Sequence, residues 1–485
     1  MGQSGVKFGT SGARGLAADM TDRVCYIYTR GFLQYLASLG DVTAGVEVAI
    51  AGDFRPSTDQ IMAAVGKAVT DCGCTPINCG KVPSPAVALK GIQNKIPAVM
   101  VTGSHIPADR NGIKFNKPAG EILKVDEEGI RGQVVAADDT LFGDDGYFKA
   151  PHPLPAVDDG AKAAYVARYL DFFPEDALGG LRLGVYQHSA VGRDVLVDIF
   201  EGLGATVTPL GRSETFIPVD TEAIRKEDVM LAKQWCKEND FFTIVSTDGD
   251  SDRPLISDET GMWLRGDVAG ILTAKYLDAD SVSTPVSCNS AVEKSGYFAT
   301  VRRTRIGSPY VIASMNEAVE GGAKMAVGYE ANGGFLTNTG FAAGGKTLDA
   351  LPTRDAVILH LAIILLAKKT GCTVSALVSR LPSRYTSSDR LKAFPQEQSQ
   401  AILARFTTGA DADDYAAAEA VFGDLSGKVA GIDRTDGVRI TFENREVIHL
   451  RPSGNAPEFR CYTEADTDER AVSLNALAME KLRSL

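Results

Sequence analysis

The sequence has few cysteines, and this shortage excludes the disulfide-rich class of proteins. Eight cysteines in 485 residues are too sparse for a disulfide scaffold, so we expect reduced thiols and a cytoplasmic protein. Cys72, Cys74 and Cys79 cluster, but no second Cys or His pair at zinc-ligand spacing accompanies them. The cluster therefore favours structural thiols over a zinc site.

A long apolar run is also lacking, which argues against a membrane-spanning protein. The longest strongly apolar stretch, residues 356–367, contains His360 and falls short of the roughly 20 residues that cross a bilayer. We expect it to form a buried helix. The first residues lack the apolar core of a signal peptide.

Positive charge is in deficit. Lys and Arg number 50 against 62 Asp and Glu, a net charge of −12, which argues against a general nucleic-acid or anionic-membrane binder. The net negative charge does not exclude a small phosphorylated substrate, because a few arginines in one cleft make that cleft locally positive. The hydrophobic fraction of 44% is that of a globular protein, and the length predicts about three or four domains.

Short β-branched runs alternate with helical stretches, which is typical of α/β units on mostly parallel sheets. A strand over 46–51 and a helix over 58–70 are echoed by 181–186 and 192–200, and more weakly around 282–302. These echoes indicate copies of one α/β fold. After residues 381–384 the alternation of Gly437 to Phe442 predicts an antiparallel sheet in a smaller last domain.

The stretch 99–115 places a serine in a small-residue turn after a buried strand. Ser104 is a candidate nucleophile or phosphoryl carrier, with His105 and Lys114 as proton-handling or phosphate-steadying neighbours. A polar turn without chemistry is the equally weighted alternative. A hydrolase elbow is disfavoured, because the positions that need glycine hold Thr102 and Ile106.

Three alternating carboxylates follow the strand at 242–245. Asp248, Asp250 and Asp252 can converge on one divalent cation, and all-oxygen ligands indicate magnesium rather than zinc. An EF-hand calcium loop is the rival, with Glu259 at position 12, but that loop needs glycine where Arg253 stands. A solvated acidic turn is the third possibility.

Two further loops have the composition of ligand-binding turns. In residues 327–335, Glu330 and Asn332 offer acceptors and donors for sugar hydroxyls, a weak signal alone. In residues 449–460, Arg451 and Arg460 bracket the turn of Ser453, Gly454 and Asn455. Two arginines around such a turn favour anion binding over a merely solvated edge.

Taken in this order, with the opening Lys7 to Gly15 that carries Arg14, the loops resemble the α-D-phosphohexomutase superfamily of phosphomannomutases and phosphoglucomutases. The resemblance runs from Lys7 to Ala465. It implies three related α/β domains with mixed sheets and a smaller α+β C-terminal domain around a central cleft. We expect their boundaries at 1–152, 153–262, 263–383 and 384–485.

The resemblance also implies a role for each site residue. It makes Ser104 the phosphorylated residue, with His105, Arg14, Arg253 and the candidate general base Lys114 as catalytic neighbours. It implies that Mg²⁺ is held by Ser104, Asp248, Asp250 and Asp252. It assigns substrate binding to Glu330, Asn332, Arg451, Ser453, Gly454, Asn455 and Arg460.

Three positions depart from the family's common form. Ile106 replaces the usual Asn, Asn332 replaces the usual Ser, and Asn455-Ala456 replaces the usual Thr-Glu. The nucleophile, carboxylates and arginines are retained. The whole set looks more like a bacterial phosphomannomutase subtype than a glucosamine-phosphate mutase.

The implied activity is that of an isomerase that interconverts mannose 6-phosphate and mannose 1-phosphate through a phosphoserine and a hexose 1,6-bisphosphate. The alternatives are a phosphoglucomutase or dual-specificity mutase, and, outside the mutases, a sugar-phosphate phosphatase or binding protein. We expect a hexose phosphate as the small-molecule substrate and hexose 1,6-bisphosphate as intermediate or activator. We expect no nucleic acid or membrane partner, and a monomer or homodimer.

Overall fold

The computed structural model describes residues 4–9, 12–453 and 457–485, and the chain forms two compact units. The first unit comprises Met1–Ser281 and Ser308–Leu377, and the second comprises Val282–Gly307 and Val378–Leu485. Both units contain helices and strands, which confirms the expected α/β fold class. All eight cysteines are free thiols.

The first sheet belongs to the first unit and has the strand order β1-β2-β6-β5-β3-β4, with β7 beside β6. Strand β3 pairs in parallel with β4 and β5, whereas β6 is antiparallel to β5 and β2. Its strands are β1 Lys7–Phe8, β2 Gly12–Leu16, β3 Glu47–Gly52, β4 Thr75–Gly80, β5 Ala98–Val101, β6 Arg110–Lys117 and β7 Gly120–Glu121. Its helices are α1 Asp22–Leu39, α2 Thr58–Asp71, α3 Ser84–Asn94 and α4 Lys124–Arg131.

Helix α1 shows why these segments take their form. The Thr21 hydroxyl accepts a hydrogen bond from the Val24 backbone and caps the first turn. Gly40 ends the helix with a φ of 83°, a left-handed conformation that costs glycine little. The buried side chains of Tyr28 and Phe32, one turn apart, face the sheet core.

The second sheet has the order β11-β10-β8-β9. The three strands β10, β8 and β9 are parallel, and β11 is antiparallel to β10. The elements are α5 Gly160–Phe172, β8 Arg182–His188, α6 Arg193–Gly202, β9 Thr206–Arg212, α7 Lys226–Glu238, β10 Thr243–Thr247 and β11 Pro254–Ile256.

The segment that follows supplies shorter strands and the most apolar helix. Its elements are α8 Gly266–Tyr276, β12 Ser281–Pro285, α9 Ala291–Lys294, β13 Thr300–Thr304, α10 Ser308–Glu320, β14 Ala326–Tyr329, β15 Phe335–Thr337, β16 Phe341–Ala343, β17 Lys346–Leu348, α11 Ala356–Thr370 and α12 Val374–Val378. Strand β14 is antiparallel to β15, and β16 to β17. Helix α11 buries side chains around its whole circumference, which confirms the buried helix expected from the apolar run. In the described part of the chain, no helix combines the length and apolarity that crossing a bilayer requires.

The second unit ends in an antiparallel sheet with the order β18-β22-β21-β20-β19. Its elements are β18 Tyr385–Lys392, α13 Gln396–Ala404, α14 Asp411–Ser426, β19 Val429–Asp433, β20 Val438–Phe442, β21 Val447–Pro452, β22 Glu458–Ala465 and α15 Asp468–Arg483. Phe422 of α14 and Leu474 of α15 join the core beneath the sheet. The antiparallel arrangement expected from the alternation at 437–442 is confirmed.

Each of the four candidate loops follows the end of one strand and leads into an antiparallel partner of that strand. This arrangement fixes both ends of a loop, because the register of the paired strands sets the separation of its first and last residues. The loops are 102–109 between β5 and β6, 248–253 between β10 and β11, 330–334 between β14 and β15, and 453–457 between β21 and β22.

Candidate active site

Ser104 lies in the loop after β5, with its hydroxyl aimed at residues 248–253, the acidic loop. Its side chain is buried, and Oγ donates a hydrogen bond of 2.6 Å to Asp248 Oδ2. The backbone φ of 55° puts this serine in the left-handed region, which residues with a Cβ seldom adopt. Its backbone N–H donates to Thr102 Oγ1 at 2.7 Å.

Arg55 holds the Ser104 loop from inside, and sequence reasoning missed it. Its Nη2 donates to the carbonyl oxygens of Ser104 and Ile106 at 2.8 and 2.5 Å, and Nη1 donates to those of Pro107 and Arg110 at 2.6 and 3.0 Å. A signal was present, because Arg55 follows strand β3, which is parallel to β5. Parallel neighbours end at the same edge of a sheet, so a charged residue there belongs beside the serine loop.

Asp53 completes this support. Its Oδ2 accepts from Arg55 Nε at 3.1 Å and from Thr102 Oγ1 at 2.7 Å. Its Oδ1 accepts from Thr58 Oγ1 at 2.7 Å. A buried carboxylate with this many partners is a rigid anchor.

His105 stands between Ser104 and a cationic side chain. Its Nδ1 accepts a hydrogen bond from Arg253 Nη1 at 2.8 Å and lies 3.4 Å from Ser104 Oγ. Burial, followed by the positive charges of Arg253 and Arg14, lowers the pKa of His105 to about 2. The imidazole is therefore neutral at physiological pH.

The three acidic residues meet as the sequence predicts. One carboxylate oxygen from each of Asp248, Asp250 and Asp252 lies within 4.8 Å of the others, and all three residues are buried. Among the described residues, no hydrogen-bond partner reaches Asp250 Oδ1 or Asp252 Oδ1. Two buried, unpartnered carboxylate oxygens beside a serine hydroxyl fit a hard divalent cation.

The acidic residues influence one another's ionisation. Burial, followed by the charges of Asp250 and Asp252, raises the pKa of Asp248 well above its usual range. Burial would also raise the pKa of Asp250, but the Lys114 charge and hydrogen bond outweigh it and hold that pKa below the usual range.

Positive side chains surround the acidic loop. Lys114 Nζ donates to Asp250 Oδ2 and Asp252 Oδ2, both at 2.5 Å, and Arg253 Nε lies 3.9 Å from carboxylate oxygens of Asp248 and Asp252. Arg14 is opposite Gly112 of β6 in the β2·β6 register. Burial, then the positive charges of Arg253 and Arg354, lowers the pKa of Arg14 to about 10. Cations gathered this closely suit an anionic ligand.

Glu330 and Asn332 occupy the loop after β14. The Glu330 side chain is nearly buried, with Oε2 3.5 Å from Arg354 Nη1. Asn332 Oδ1 accepts from the Gly334 backbone at 2.9 Å, and the Asn332 carbonyl accepts from Thr221 Oγ1 at 2.6 Å. The amide oxygen of Asn332 therefore shapes its own loop.

Arg354 is the second functional candidate that sequence reasoning missed. It is 1% exposed, and Nη2 lies 3.0 Å from Asp252 Oδ2. Burial opposes ionisation, but Asp252, Glu121 and Glu330 raise the pKa of Arg354 above its usual value. The available signal was an Arg-Asp pair directly before the mainly apolar, buried helix α11, where a charge needs a buried partner.

The candidate phosphate-binding residues lie in the second unit. Arg451 and Arg460 are directly opposite each other in the β21·β22 register. Arg451 Nε pairs with Asp436 Oδ2 at 2.8 Å and Arg460 Nη2 with Glu458 Oε2 at 3.2 Å. Arg451 and Ser453 line a cavity of about 370 Å³ beside α13. Gly454 and Asn455 lie outside the described residues.

Comparison with known proteins gives matches over most of the chain. Three regions match the family descriptions of phosphoglucomutase/phosphomannomutase: alpha/beta/alpha domain I at residues 5–140, alpha/beta/alpha domain III at 265–385, and the C-terminal domain at 402–481.

Full-length relatives and a solved structure agree with these matches. A phosphomannomutase from Sinorhizobium fredii (strain NBRC 101917 / NGR234) is 44% identical over 484 residues, covering 99% of each chain. A phosphomannomutase from Salmonella muenchen is 42% identical over 482 residues, covering 99% of this chain and 96% of the relative. The crystal structure of a phosphoglucomutase/phosphomannomutase family protein from Burkholderia thailandensis superposes with a TM-score of 0.74 at 18% identity, covering 98% of this chain and 96% of that chain.

Proposed function

Since this chain belongs to the phosphoglucomutase/phosphomannomutase family, we propose that it interconverts mannose 6-phosphate and mannose 1-phosphate. The observation that carries the proposal is the buried Ser104 hydroxyl, hydrogen-bonded to one of three converging aspartates. The names of the full-length relatives support the choice of mannose. The sparse cysteines favour a cytoplasmic site of action.

Ser104 is the phosphoryl carrier in this proposal. The bond between phosphorus and Ser104 Oγ breaks as a bond forms to the free hydroxyl of the hexose phosphate, giving a hexose 1,6-bisphosphate. The proton of that hydroxyl passes to a base of the site, for which Lys114 and His105 are the candidates. The bisphosphate turns over, and its other phosphoryl group returns to Ser104.

The surrounding residues supply position and charge. Oxygens of Asp248, Asp250, Asp252 and phosphorylated Ser104 would hold Mg²⁺, which when bound neutralises charge on the transferring phosphoryl group. Arg14 and Arg253 contribute further positive charge.

Substrate contacts come from two loops in the proposal. Glu330 and Asn332 bind sugar hydroxyls. The distal phosphate binds to Arg451, Ser453, Gly454, Asn455 and Arg460. We also propose four domains with boundaries at 1–152, 153–262, 263–383 and 384–485, each contributing one of the four loops.

The test compares wild type with Ser104→Ala, and uses Ser38→Ala, at an exposed serine bonded only to the Tyr35 carbonyl, as the matched control. Intact mass should give one phosphate on wild type and on the control and none on Ser104→Ala. Turnover of mannose 1-phosphate should fall by about 10³-fold or more in Ser104→Ala. Near wild-type turnover in that variant would refute the assignment.

The same assay separates the alternative functions. Glucose 1-phosphate is assayed beside mannose 1-phosphate, and we expect faster turnover of mannose 1-phosphate. Faster turnover of glucose 1-phosphate would identify a phosphoglucomutase. Inorganic phosphate as the main product would identify a phosphatase, and binding without turnover a sugar-phosphate binding protein.

A further inference from the structure

Arg354 bridges two loops that the proposed function treats separately. Its Nη2 lies 3.0 Å from Asp252 Oδ2 in the acidic loop, and its Nη1 lies 3.5 Å from Glu330 Oε2 in residues 330–334, the sugar loop. The side chain is 2% exposed. One guanidinium, almost wholly removed from water, thus faces a candidate metal ligand and a candidate sugar ligand at once.

The sugar loop is shaped around this side chain. A Cβ at Gly334 would lie 2.5 Å from Arg354 Cδ, so a side chain there would collide with the stem of the arginine. Asn332 Oδ1 holds the Gly334 backbone at 2.9 Å. Both observations indicate that the loop and the arginine fit each other closely.

The residues on either side of Arg354 are anchored as well. Thr353 Oγ1 donates to Glu121 Oε1 at 2.8 Å. Asp355 accepts hydrogen bonds from the hydroxyls of Tyr165 and Tyr169 and caps helix α11. The backbone of Arg354 is therefore fixed, and its guanidinium is preorganised between Asp252 and Glu330.

The two contacts have opposite consequences for ligands. The pairing with Glu330 fixes an acceptor for sugar hydroxyls, which favours sugar binding. The pairing with Asp252 puts a positive charge beside a candidate metal ligand, where it repels a cation. Lys114 shares the same oxygen, Asp252 Oδ2, so this carboxylate is already strongly neutralised.

We propose that Arg354 is a positioning residue that strengthens sugar binding through Glu330 and weakens metal binding through Asp252. The inference rests on the proposed function for the identity of the sugar. Opposite changes in the two affinities would distinguish this role from simple stabilisation of the fold, because a loosened site would bind both ligands more weakly.

The experiment measures two affinities on the purified full-length protein by calorimetry, for Mg²⁺ alone and for mannose 1-phosphate. Arg354→Met removes the charge and keeps the length of the stem. We expect mannose 1-phosphate to bind about tenfold or more weakly and Mg²⁺ to bind about three- to tenfold more tightly. Weakening of both ligands, or no change in either, would overturn the proposal.

A second variant keeps the test decisive if the buried acids prevent Arg354→Met from folding. Arg354→Lys retains the charge, but one ammonium group cannot reach both carboxylates as a guanidinium does. We expect Mg²⁺ affinity within about twofold of wild type and sugar affinity reduced by about tenfold. Wild-type sugar affinity, or a loss of both affinities, would contradict the inference.

Two controls complete the design. Arg225→Met removes a partly buried arginine that is also paired with a carboxylate, Asp228 at 2.6 Å, and should leave both affinities unchanged. In a Glu330→Gln background, Arg354→Met should cause little further loss of sugar affinity, because its effect acts through Glu330. If the losses of sugar affinity caused by Glu330→Gln and Arg354→Met were fully additive, Arg354 would not act on the sugar through Glu330.

Failure of the proposed function gives a different result. If wild type binds and converts glucose 1-phosphate instead, glucose 1-phosphate is the substrate, and the affinities of wild type and the Arg354 variants would be compared for that sugar. Wild type that binds no hexose phosphate would refute the proposed function, whereas unchanged or weaker Mg²⁺ binding in Arg354→Met refutes the role of Arg354 whatever the substrate.

Discussion

At the scale of single residues, the backbone of Ser104 is held in a strained conformation by its neighbours. A left-handed φ at a residue with a Cβ costs about 1–3 kcal/mol and persists only where the surroundings impose it. Three carbonyl oxygens of the loop and that of Arg110, at the start of β6, accept hydrogen bonds from the one guanidinium of Arg55. The Phe216 ring covers that guanidinium at 4.2 Å and shields it from water.

Replacement of Arg55 by lysine tests this support. Lysine keeps the charge beside Asp53 but leaves buried carbonyl oxygens without a donor, so the free energy of unfolding should fall by about 1–3 kcal/mol for each carbonyl that stays unpaired. An ammonium group cannot satisfy four carbonyls, so Ser104 should lose its alignment and kcat should fall by about tenfold or more. Denaturant unfolding and steady-state kinetics measure the two quantities. An unchanged kcat with intact folding would show that the loop does not depend on Arg55.

Some residues of the site belong to a local sequence pattern and could be predicted from it, whereas others could not. Ser104, Asp248, Asp250 and Asp252 stand in turns directly after apolar strands. The spacing of the three aspartates predicted their convergence, and the family resemblance implied that Ser104 joins them. Arg55 and Arg354 act through contacts with residues far away in the chain, at separations that no local spacing encodes. Their burial, which distinguishes them from solvated arginines, exists only in the folded protein.

At the scale of elements, the sugar loop depends on two glycines of helix α8. A Cβ at Gly266 would lie 2.1 Å from the Gly333 backbone nitrogen, and one at Gly270 would lie 2.4 Å from the Tyr329 ring. The helix therefore approaches β14 and its loop more closely than any residue with a Cβ allows. This close approach sets the position of the loop that carries Glu330.

Gly270→Ala should therefore destabilise the protein although alanine is the better helix former. Overpacking costs about 1–3 kcal/mol, which exceeds the gain of about 0.5–1 kcal/mol from helix propensity. Displacement of Tyr329 should also raise the KM for the hexose phosphate. Gly423→Ala in α14, where the nearest atom would be 3.6 Å from the new Cβ, is the matched control and should stabilise. Equal stabilisation by both substitutions would exclude the close packing of α8.

Secondary structure followed the sequence well where apolar runs were continuous. The expected strand at 46–51 and helix at 58–70 correspond to β3 and α2 within a residue. The sequence did not reveal that the strand after each site loop pairs back antiparallel to the strand before it. Strands such as β11 and β15 are three residues long, too short for alternation to be recognised.

At the scale of the whole molecule, three of the five histidines are buried in one arrangement. His188, His360 and His449 each place Nε2 within 3.0 Å of a backbone carbonyl oxygen. Within the described ranges, Nδ1 of each has no hydrogen-bond partner. Burial lowers the pKa of His188 and His449 to about 4 and that of His360 to about 3.

This arrangement predicts a loss of stability in mild acid. Between pH 6.5 and about 4 the unfolded histidines bind protons and the folded ones do not, so the free energy of unfolding falls as the pH falls through that window. Each histidine adds a slope of up to about 1.4 kcal/mol per pH unit. Urea unfolding of wild type and His360→Gln between pH 5 and 7 measures the slope of the free energy of unfolding against pH, with His152→Gln as the control. We expect a shallower slope in His360→Gln, and an equal slope would be inconsistent with a neutral buried His360.

The second unit is assembled from two separate stretches, and this division has a consequence for synthesis. Residues 282–307 leave the ribosome before 308–377, which belong to the other unit, and before 378–485, with which they share a unit. At about 5–20 residues per second, residues 308–485 take roughly 9–36 s to make. During that interval the apolar side chains of Val282, Val286 and Val292, buried in the finished protein, lack most of their unit. During synthesis the nascent chain therefore passes through a period in which residues 282–307 are open to binding by chaperones and to incorrect packing.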